Sequence, residues 1–498
     1  MNITWGISAN SHDAALSVYV EGNESINDNG WVFGSHSERF SGIKNDPNLS
    51  KSLINYALQF GEPNDIIWYE NPLKKTLRQL WAGQGLKLRE NNVSRYLKNT
   101  HPVFNNKKIH YVDHHHAHAA AGYYTSGFIN ACVLVIDSIG EWDTISIWNG
   151  NQNQLTKKAS QSYPNSIGLW YSAMTQRVGL KPQEDEYILM GMAAYGNPDR
   201  LYDDMCNDFI KQYPTLDLAV VFKQNLHRGC KDWRPDLVTE QDMFDIAAAT
   251  QKLYNKLFEY ILQRATYAVK SKNLVLMGGC ALNCSANGIA QKYFKNVWIM
   301  PNPGDAGSSL GAILAHKEVS ISWKGPYAGY DIKRPYPVRD LIDELLTTGI
   351  VGVANGKAEF GPRALGNRSL LADPRGMGIR DRVNGIKQRQ QFRPFAPAIL
   401  AEHARDYFYG PVSPYMQYTA KCKFPDRFPA IVHADGTSRV QTVSKSDNPG
   451  FRLLLEKWYS MTGCPMLLNT SLNIKGSPMV NDIFDAQGFS MYYGVKVY

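Results

Sequence analysis

The feature that most constrains this chain is a unit that occurs twice: a β-rich strand, a short polar turn and a second apolar strand. In the first copy residues 3–7 are β-rich, residues 8–13 (SANSHD) are polar, and residues 15–20 are apolar again; a third strand fits residues 31–33. In the second copy residues 131–136 (ACVLVI) lead into the turn 137–143 (DSIGEWD) and the strand 144–148. Two such units, each early in its half of the sequence, suggest an internal duplication, although hairpins are common enough that the pattern alone does not fix it.

Helical stretches follow these units. Residues 48–60 and 248–268 carry apolar side chains at three- and four-residue spacing. Residues 273–277 (NLVLM) form a short buried-type strand ending in Gly278-Gly279, and residues 297–300 form another ending at Pro301. Strands alternating with helices predict an α/β fold. Gly325, Pro326, Gly329, Pro335 and Pro337 punctuate the stretch 320–340, and such stretches link domains. The expectation is two domains, residues 1–330 and 340–498.

With 498 residues, 44% hydrophobic and 20% charged, the chain has an ordinary globular composition and enough length for real cores. No stretch approaches the ~18 uninterrupted apolar residues of a membrane span, and the N-terminus has neither a basic nor an apolar leader region. The expectation is a cytoplasmic protein without a membrane partner. Seven scattered cysteines do not make a disulfide framework. Cys280 and Cys284 are the only close pair, and their spacing is not that of a zinc ribbon. The net charge of +8 favours anionic partners, which phosphorylated small substrates satisfy as well as nucleic acid does.

Residues 113–119 (DHHHAHA) carry the sharpest chemical signal. On a helix His114 and His118 sit one turn apart on one face, so both imidazoles can reach one metal ion. A packed helix with hydrogen-bonded histidines fits the same pattern. Asp137 opens the second polar turn, and Asp305 follows a strand in PNPGDAG. Carboxylates at strand ends point into the cleft of an α/β fold, and a two-His, two-carboxylate set suits Fe, Mn or Zn. Each Asp alone also reads as a turn or helix cap. His12-Asp13 in the first turn could supply a general base toward a hydroxyl or simply close the turn. Gly278, Gly279 and Asn283 lie in GGCALN, where glycines let backbone approach a nucleotide, or make a tight turn. In the last third, Arg363, Arg368, Lys387, Arg389, Arg393 and Arg439 lie in Gly/Pro-rich or mixed contexts instead of on an amphipathic stripe. Any one of them reads as solvated charge; as a set they favour anion binding.

Together with SHDAAL, SERFSGIKND, YPNSIGLWYSAMT, PQEDEYILMGMAAYG, PNPGDAGSSLGA, AEFGPRALGNRSLLADPR, VNGIKQRQQFRPFAP, HADGTSRVQTV and LLNTSLNIKGSPMV, these motifs give the chain a specific resemblance. It resembles the O-carbamoyltransferases of the nodulation-protein and tobramycin carbamoyltransferase type along nearly its whole length. The resemblance implies an N-terminal Kae1-like domain of the actin and sugar-kinase (ASKHA) fold, in which paired hairpins hold nucleotide phosphates, and a C-terminal YrdC-like α/β domain. It implies ATP and carbamoyl phosphate as cosubstrates. Carbamoyl-AMP would form in the YrdC-like domain and pass its carbamoyl group to an acceptor hydroxyl in the Kae1-like domain.

The family pattern puts one transition-metal ion, iron first with manganese or zinc as alternatives, on His114, His118, Asp137 and Asp305. It puts the catalytic base on His12, beside Asp13, and nucleotide contacts on Gly278, Gly279 and Asn283. In the second domain Lys387 and Arg389 resemble the YrdC basic motif, and Thr470, Ser471 and Asn473 its T-S-x-N nucleotide motif; Arg363, Arg368, Arg393 and Arg439 would take carbamoyl phosphate. Three departures stand out: Ile188 where members commonly carry Lys, Leu472 where Phe is frequent, and an aromatic end at Tyr498. The acceptor is open between a small molecule, a sugar and a hydroxymethylpyrimidine nucleotide, and a homodimer is left open. Alternative readings are carbamoylation of 5-hydroxymethylcytosine in DNA, threonylcarbamoyl transfer to tRNA, or a non-catalytic actin-fold nucleotide-binding module.

Overall fold

The computed structural model describes residues 2–21, 30–214, 220–376 and 378–498. It is a mixed α/β structure that gathers into two compact units: Asn2–Ser8 with Pro63–Trp323, and Ala9–Glu62 with Lys324–Tyr498.

In the first of these, the strands Asn2–Ser8, Asp65–Trp68 and Lys108–Tyr111 run parallel, with Thr4 opposite Asp65 and Asp65 opposite Lys108. A second sheet places Asn296–Trp298, Asn273–Met277, Asn130–Ile136, Asp143–Asn151 and Gln154–Ser162 side by side, the first three parallel and the last two antiparallel. The near-continuous apolar runs of Asn130–Ile136 and Asn273–Met277 fit strands buried on both faces, and residues 131–136 are all buried, whereas the edge strand Gln154–Ser162 is polar and largely exposed. The helices His114–Tyr123 and Ser308–Lys317 pack closely on one another. A Cβ at Gly311 would lie 2.0 Å from the Ala117 carbonyl, and one at Gly122 would lie 2.5 Å from Val275 and Met277. Small residues at these two positions are therefore what brings the histidine helix against both its neighbours.

Two helices differ from their sequence limits for local reasons. Residues 48–60 become Lys51–Ala57, started by the Ser50 side chain accepting from the Leu53 N–H, then a tight turn Leu58–Phe60. The long helix runs Glu240–Ala268, not 248–268, because Thr239 and Asp242 form a reciprocal capping box ahead of its polar first turns.

In the other unit, Ala15–Glu21 and Trp31–His36 pair antiparallel, with Ala15 opposite His36. A five-stranded sheet follows the order Ile350–Ala354, Arg368–Ala372, Met466–Ser471, Ala396–Leu400, Gln441–Val443. Phe451, Leu454, Leu455 and Trp458 of the helix Pro449–Thr462 belong to its core. The tail noted at Tyr498 continues the sheet edge, since Ala354 N–H donates to the Tyr498 carbonyl at 2.8 Å.

The change of unit at Trp323–Lys324 falls inside the Pro/Gly-punctuated stretch 320–340, but residues 9–62 group with the C-terminal residues instead of with the rest of 1–330. Aromatic packing is the physical reason. Trp31 meets Phe360 edge-on at 5.6 Å, Tyr56 meets Tyr330 at 4.8 Å, and Arg39 Nη2 donates to the Gly361 carbonyl at 3.1 Å.

Candidate active site and metal centre

The helix His114–Tyr123 begins at its first histidine, with Asp113 in extended conformation before it. Its N-terminal amide needs an acceptor, and Glu141 supplies one: both carboxylate oxygens take the His114 N–H, at 3.0 and 3.1 Å. The same carboxylate accepts the Asn71 N–H at 2.6 Å. Burial pushes the Glu141 carboxyl up.

One helical turn separates His114 and His118, and their Nε2 atoms come within 3.0 Å of each other. Asp137, at the end of the strand Asn130–Ile136, brings Oδ2 to 3.1 Å from His114 Nε2 and 3.7 Å from His118 Nε2. Asp305 brings Oδ1 to 3.4 and 3.3 Å from the same two atoms. All four ligand atoms fit within 4.8 Å of one another. Tetrahedral bonds of ~2.0–2.1 Å put neighbouring ligand atoms roughly 3.3–3.5 Å apart, which the observed spacing brackets. The imidazoles are 3% and 0% exposed and the carboxylates 11% and 12%, so what access the set has runs past the carboxylates.

The electrostatics also fit a cation. Burial lowers the affinity of the His114 ring for a proton, but Asp305 and Asp137 outweigh it and hold that imidazole well above its ordinary range. His118 is raised in the same way. Burial opposes ionisation of Asp137 and Asp305 too, yet the two rings hold both carboxyls below their ordinary value. Two buried carboxylates that call for positive charge between them are what a metal ion satisfies.

The other histidines do different work. His115 Nδ1 pairs with Ser146 Oγ at 2.7 Å, and burial holds its ring well below the ordinary value. His116 stacks on Trp148 at 5.1 Å. The Gly278-Gly279 pair has a steric explanation of its own: a Cβ at Gly278, where φ is +89°, would sit 2.1 Å from the Ile136 carbonyl. Gly279 N–H donates to Asp137 Oδ1 at 3.2 Å, which orients that carboxylate from behind. Asn283 caps the next turn by accepting the Ala286 N–H, and its amide exchanges contacts with Gln251. Ile188, at the position of the common family Lys, is buried.

In the other unit His12 is exposed. Asp13, at φ +64°, accepts from or shares a proton with His36, Nδ1 to Oδ1 at 2.8 Å. Burial pushes the Asp13 carboxyl up, but His36, with His12 and Lys44 beside it, holds it below the ordinary value. His36 was not singled out in the sequence; the antiparallel register that sets it opposite Ala15 delivers it to Asp13.

The C-terminal cations sort into distinct roles. Lys387 is buried and donates to the Asn473 carbonyl at 2.8 Å, to Asn473 Oδ1 at 2.9 Å and to Ser471 Oγ at 3.2 Å. This contact joins the KQRQQFRP and TSLN segments. Burial, with Arg389 and Arg393 nearby, holds the Lys387 amine well below its ordinary value. Arg389 lies 3.9 Å from the Phe395 ring centre and donates from Nε to Asn384 Oδ1 at 2.7 Å. Thr470, on the strand Met466–Ser471, stands opposite Leu370, and Leu472 is fully buried. Arg363, Arg393 and Arg439 are half-buried.

Arg368 does not fit the role of carbamoyl phosphate ligand. It is 0% exposed, and its five N–H groups reach the carbonyls of Asn481, Asn355, Asn367, Tyr330 and Gly356 at 2.8–3.2 Å. A guanidinium with every donor used has none left for an anion. Glu359 supports the same loop: its Oε1 accepts the N–H groups of Leu365, Asn367 and Arg368.

A two-imidazole, two-carboxylate set that could hold a metal ion lies in one unit, and in the other Lys387 joins the basic segment to the T-S-x-N segment. The chain belongs to the carbamoyltransferase family. The model of the carbamoyltransferase N-terminus matches residues 4–314 and that of the carbamoyltransferase C-terminus matches residues 342–498. An uncharacterized Synechocystis protein is 32% identical over 95% of this chain and 92% of its own length. Nodulation protein NolO of Bradyrhizobium diazoefficiens is 31% identical over 75% of each chain. The 3'-hydroxymethylcephem-O-carbamoyltransferase of Amycolatopsis lactamdurans is 30% identical over 62% of each. The protein is an enzyme of carbamoyl transfer. Among the described residues no helix is long and apolar enough to cross a membrane.

Proposed function

We propose that this protein is an ATP-dependent O-carbamoyltransferase working through carbamoyl-AMP. Carbamoyl phosphate is hydrolysed to carbamate and phosphate in the YrdC-like, C-terminal part. A carbamate oxygen attacks the α-phosphorus of ATP, and pyrophosphate leaves. In the Kae1-like part the acceptor hydroxyl attacks the carbamoyl carbon, its proton passes to His12, and AMP leaves.

Family membership along nearly the whole chain, with a relative named for O-carbamoyl transfer, carries this reading. Several residues support the division of roles. Arg389 and Arg393 lie near Lys387, whose amine is spent on Ser471 and Asn473, and the two guanidiniums suit the phosphates of ATP and carbamoyl phosphate. Asp13, held below its ordinary value chiefly by His36 against its burial, stands next to His12 in the first turn. His114, His118, Asp137 and Asp305 would hold the metal ion, which when bound supplies a Lewis acid for the anionic oxygens of the carbamoyl donor. Gly279 N–H and Glu141 keep Asp137 and the histidine helix in place for it.

The acceptor is read as a primary or secondary alcohol on a small molecule, sugar or hydroxymethylpyrimidine nucleotide. The test is to incubate the protein with ATP, carbamoyl phosphate and a panel of such alcohols, hydroxymethylated DNA included. Pyrophosphate release and a mass gain of one carbamoyl group on an alcohol are expected. Carbamoylation of an amine with every alcohol inert would overturn O-transfer.

A further inference from the structure

The helix Pro72–Trp81 is amphipathic the wrong way round. Its polar side faces the protein. Thr76 and Arg78 are 3% and 7% exposed. Lys75 pairs with Glu70 at 2.6 Å in a largely buried contact. Arg78 Nε donates to the Glu141 carbonyl and its Nη1 to Gln84 Oε1, both at 3.2 Å. Asn91 returns along the same side, donating to Thr76 Oγ1 and Gln79 Oε1 at 2.8 and 2.7 Å. Its apolar side faces out: Leu73, Leu77, Leu80 and Trp81 are 65, 60, 49 and 61% exposed. The returning segment adds Leu86 and Leu88 at 61 and 53%. Surface helices bury the apolar stripe and present the polar one, so the inversion shows that something else covers this face.

We propose that a second copy of this chain covers it, making a two-fold dimer through antiparallel Pro72–Trp81 helices. Three observations select this occupant. Leu73, Leu77 and Leu80 follow the four-then-three spacing of a coiled-coil seam, which a second helix of the same kind fills; a two-fold axis beside Leu77 sets Leu73 of one protomer against Leu80 of the other. Six side chains at these exposures present on the order of 600 Å² of apolar surface, near the roughly 800 Å² per partner of a standard interface. On the helix itself the cations that would suit an anionic membrane or a nucleic acid are turned inward or engaged, Lys75 and Arg78 as above and Lys74 with Asp113 at 2.6 Å, while on the returning segment the exposed Arg89 is followed by the exposed Glu90. The contact reaches toward the metal set through Glu141, which accepts the Asn71 N–H at the start of this helix and the His114 N–H.

Sedimentation velocity and light scattering on the full chain test this over a wide concentration range. The wild type should sediment at twice the chain mass. Leu77→Asp and Leu80→Asp should each run as the monomer with unchanged far-ultraviolet circular dichroism, because both side chains lie on the outer face. Leu77→Cys should give a disulfide-linked dimer under mild oxidation, whereas Ile129→Cys, also exposed but elsewhere, should not. A wild type that is monomeric throughout, or a Leu77→Asp variant still dimeric, overturns the proposal. So does a monomeric wild type that binds phosphatidylserine vesicles and loses that binding with Leu77→Asp, which would make a lipid surface the occupant.

Discussion

The Nε2 atoms of His114 and His118 lie 3.0 Å apart, each turned toward Asp137 and Asp305. Two imidazoles this close gain from sharing one positive charge and lose if each carries its own. A single cation meets that condition. Purified protein should therefore hold about one transition-metal ion per chain, and His114→Ala with His118→Ala should lose it. Elemental analysis checks this; equal metal content in wild type and double variant would sink the assignment. Stripping the metal with a chelator should also lower the thermal midpoint, since an ion bound only by the folded state stabilises it.

Arg368 carries a prediction about stability instead of binding. Arg368→Met removes a donor from five carbonyls, three of them in buried contacts, and Arg368→Lys can serve at most three of the five. Each change should cost about 3–5 kcal/mol in denaturant unfolding. A variant of full stability that had lost only affinity for carbamoyl phosphate would return Arg368 to the substrate site.

A pH effect follows from Glu402, whose carboxylate takes two hydrogen bonds from Arg452, at 2.6 and 2.8 Å, and is held down to about 2. A carboxyl with its folded value below its unfolded one stabilises the protein above the unfolded value, and that contribution fades as pH falls through about 4 toward 2. The Glu402 side chain is 53% exposed, so screening limits the effect to below about 1 kcal/mol. Glu402→Gln should be less stable than wild type at pH 7, and the gap should close near pH 2. Urea titrations at both values check it; a gap that widened on acidification would reverse the sign argued here.

Much of the site was legible because its spacing is local. The i, i+4 pair His114 and His118 reads directly from helical geometry, and Asp137 and Asp305 from their places after apolar strands. Spacing did not tell what the two histidines between them do: His115 and His116 point elsewhere, and Ser146 and Trp148 claim them. Glu141, Glu359 and His36 escaped because each acts through backbone or register set by distant chain, which one sequence does not display. Arg368 misled for the opposite reason: a basic residue in a Gly-rich loop looks the same whether its fork faces an anion or five carbonyls. The grouping of residues 9–62 with the C-terminal unit was hidden too, since it rests on ring contacts between residues some three hundred positions apart, such as Trp31 with Phe360.

The last prediction separates the two chemical steps. Burial, with Arg389 and Arg393 nearby, holds Lys387 well below its ordinary value, so the two guanidiniums share one locality with Lys387, Ser471 and Asn473. Removing Arg389 or Arg393 takes away charge that offsets the phosphates of ATP and carbamoyl phosphate. Arg389→Ala and Arg393→Ala should then reduce pyrophosphate release by about 100-fold or more, the loss seen when one donor to a developing anion is deleted. In the proposed division His12 serves the transfer step instead. His12→Ala should leave pyrophosphate release in a single turnover unchanged and slow transfer to the alcohol by about 100- to 10,000-fold, as loss of a general base does. Carbamoyl-AMP should then accumulate, and rapid quench with mass detection of the adenylate reads it. Water must be kept from that adenylate, so without acceptor the wild type should also stop near one pyrophosphate per chain, and the right hydroxyl should restore turnover. Equal loss of pyrophosphate release in His12→Ala and Arg389→Ala would mean that both residues serve one step, and the assignment of activation and transfer to separate residues would fail.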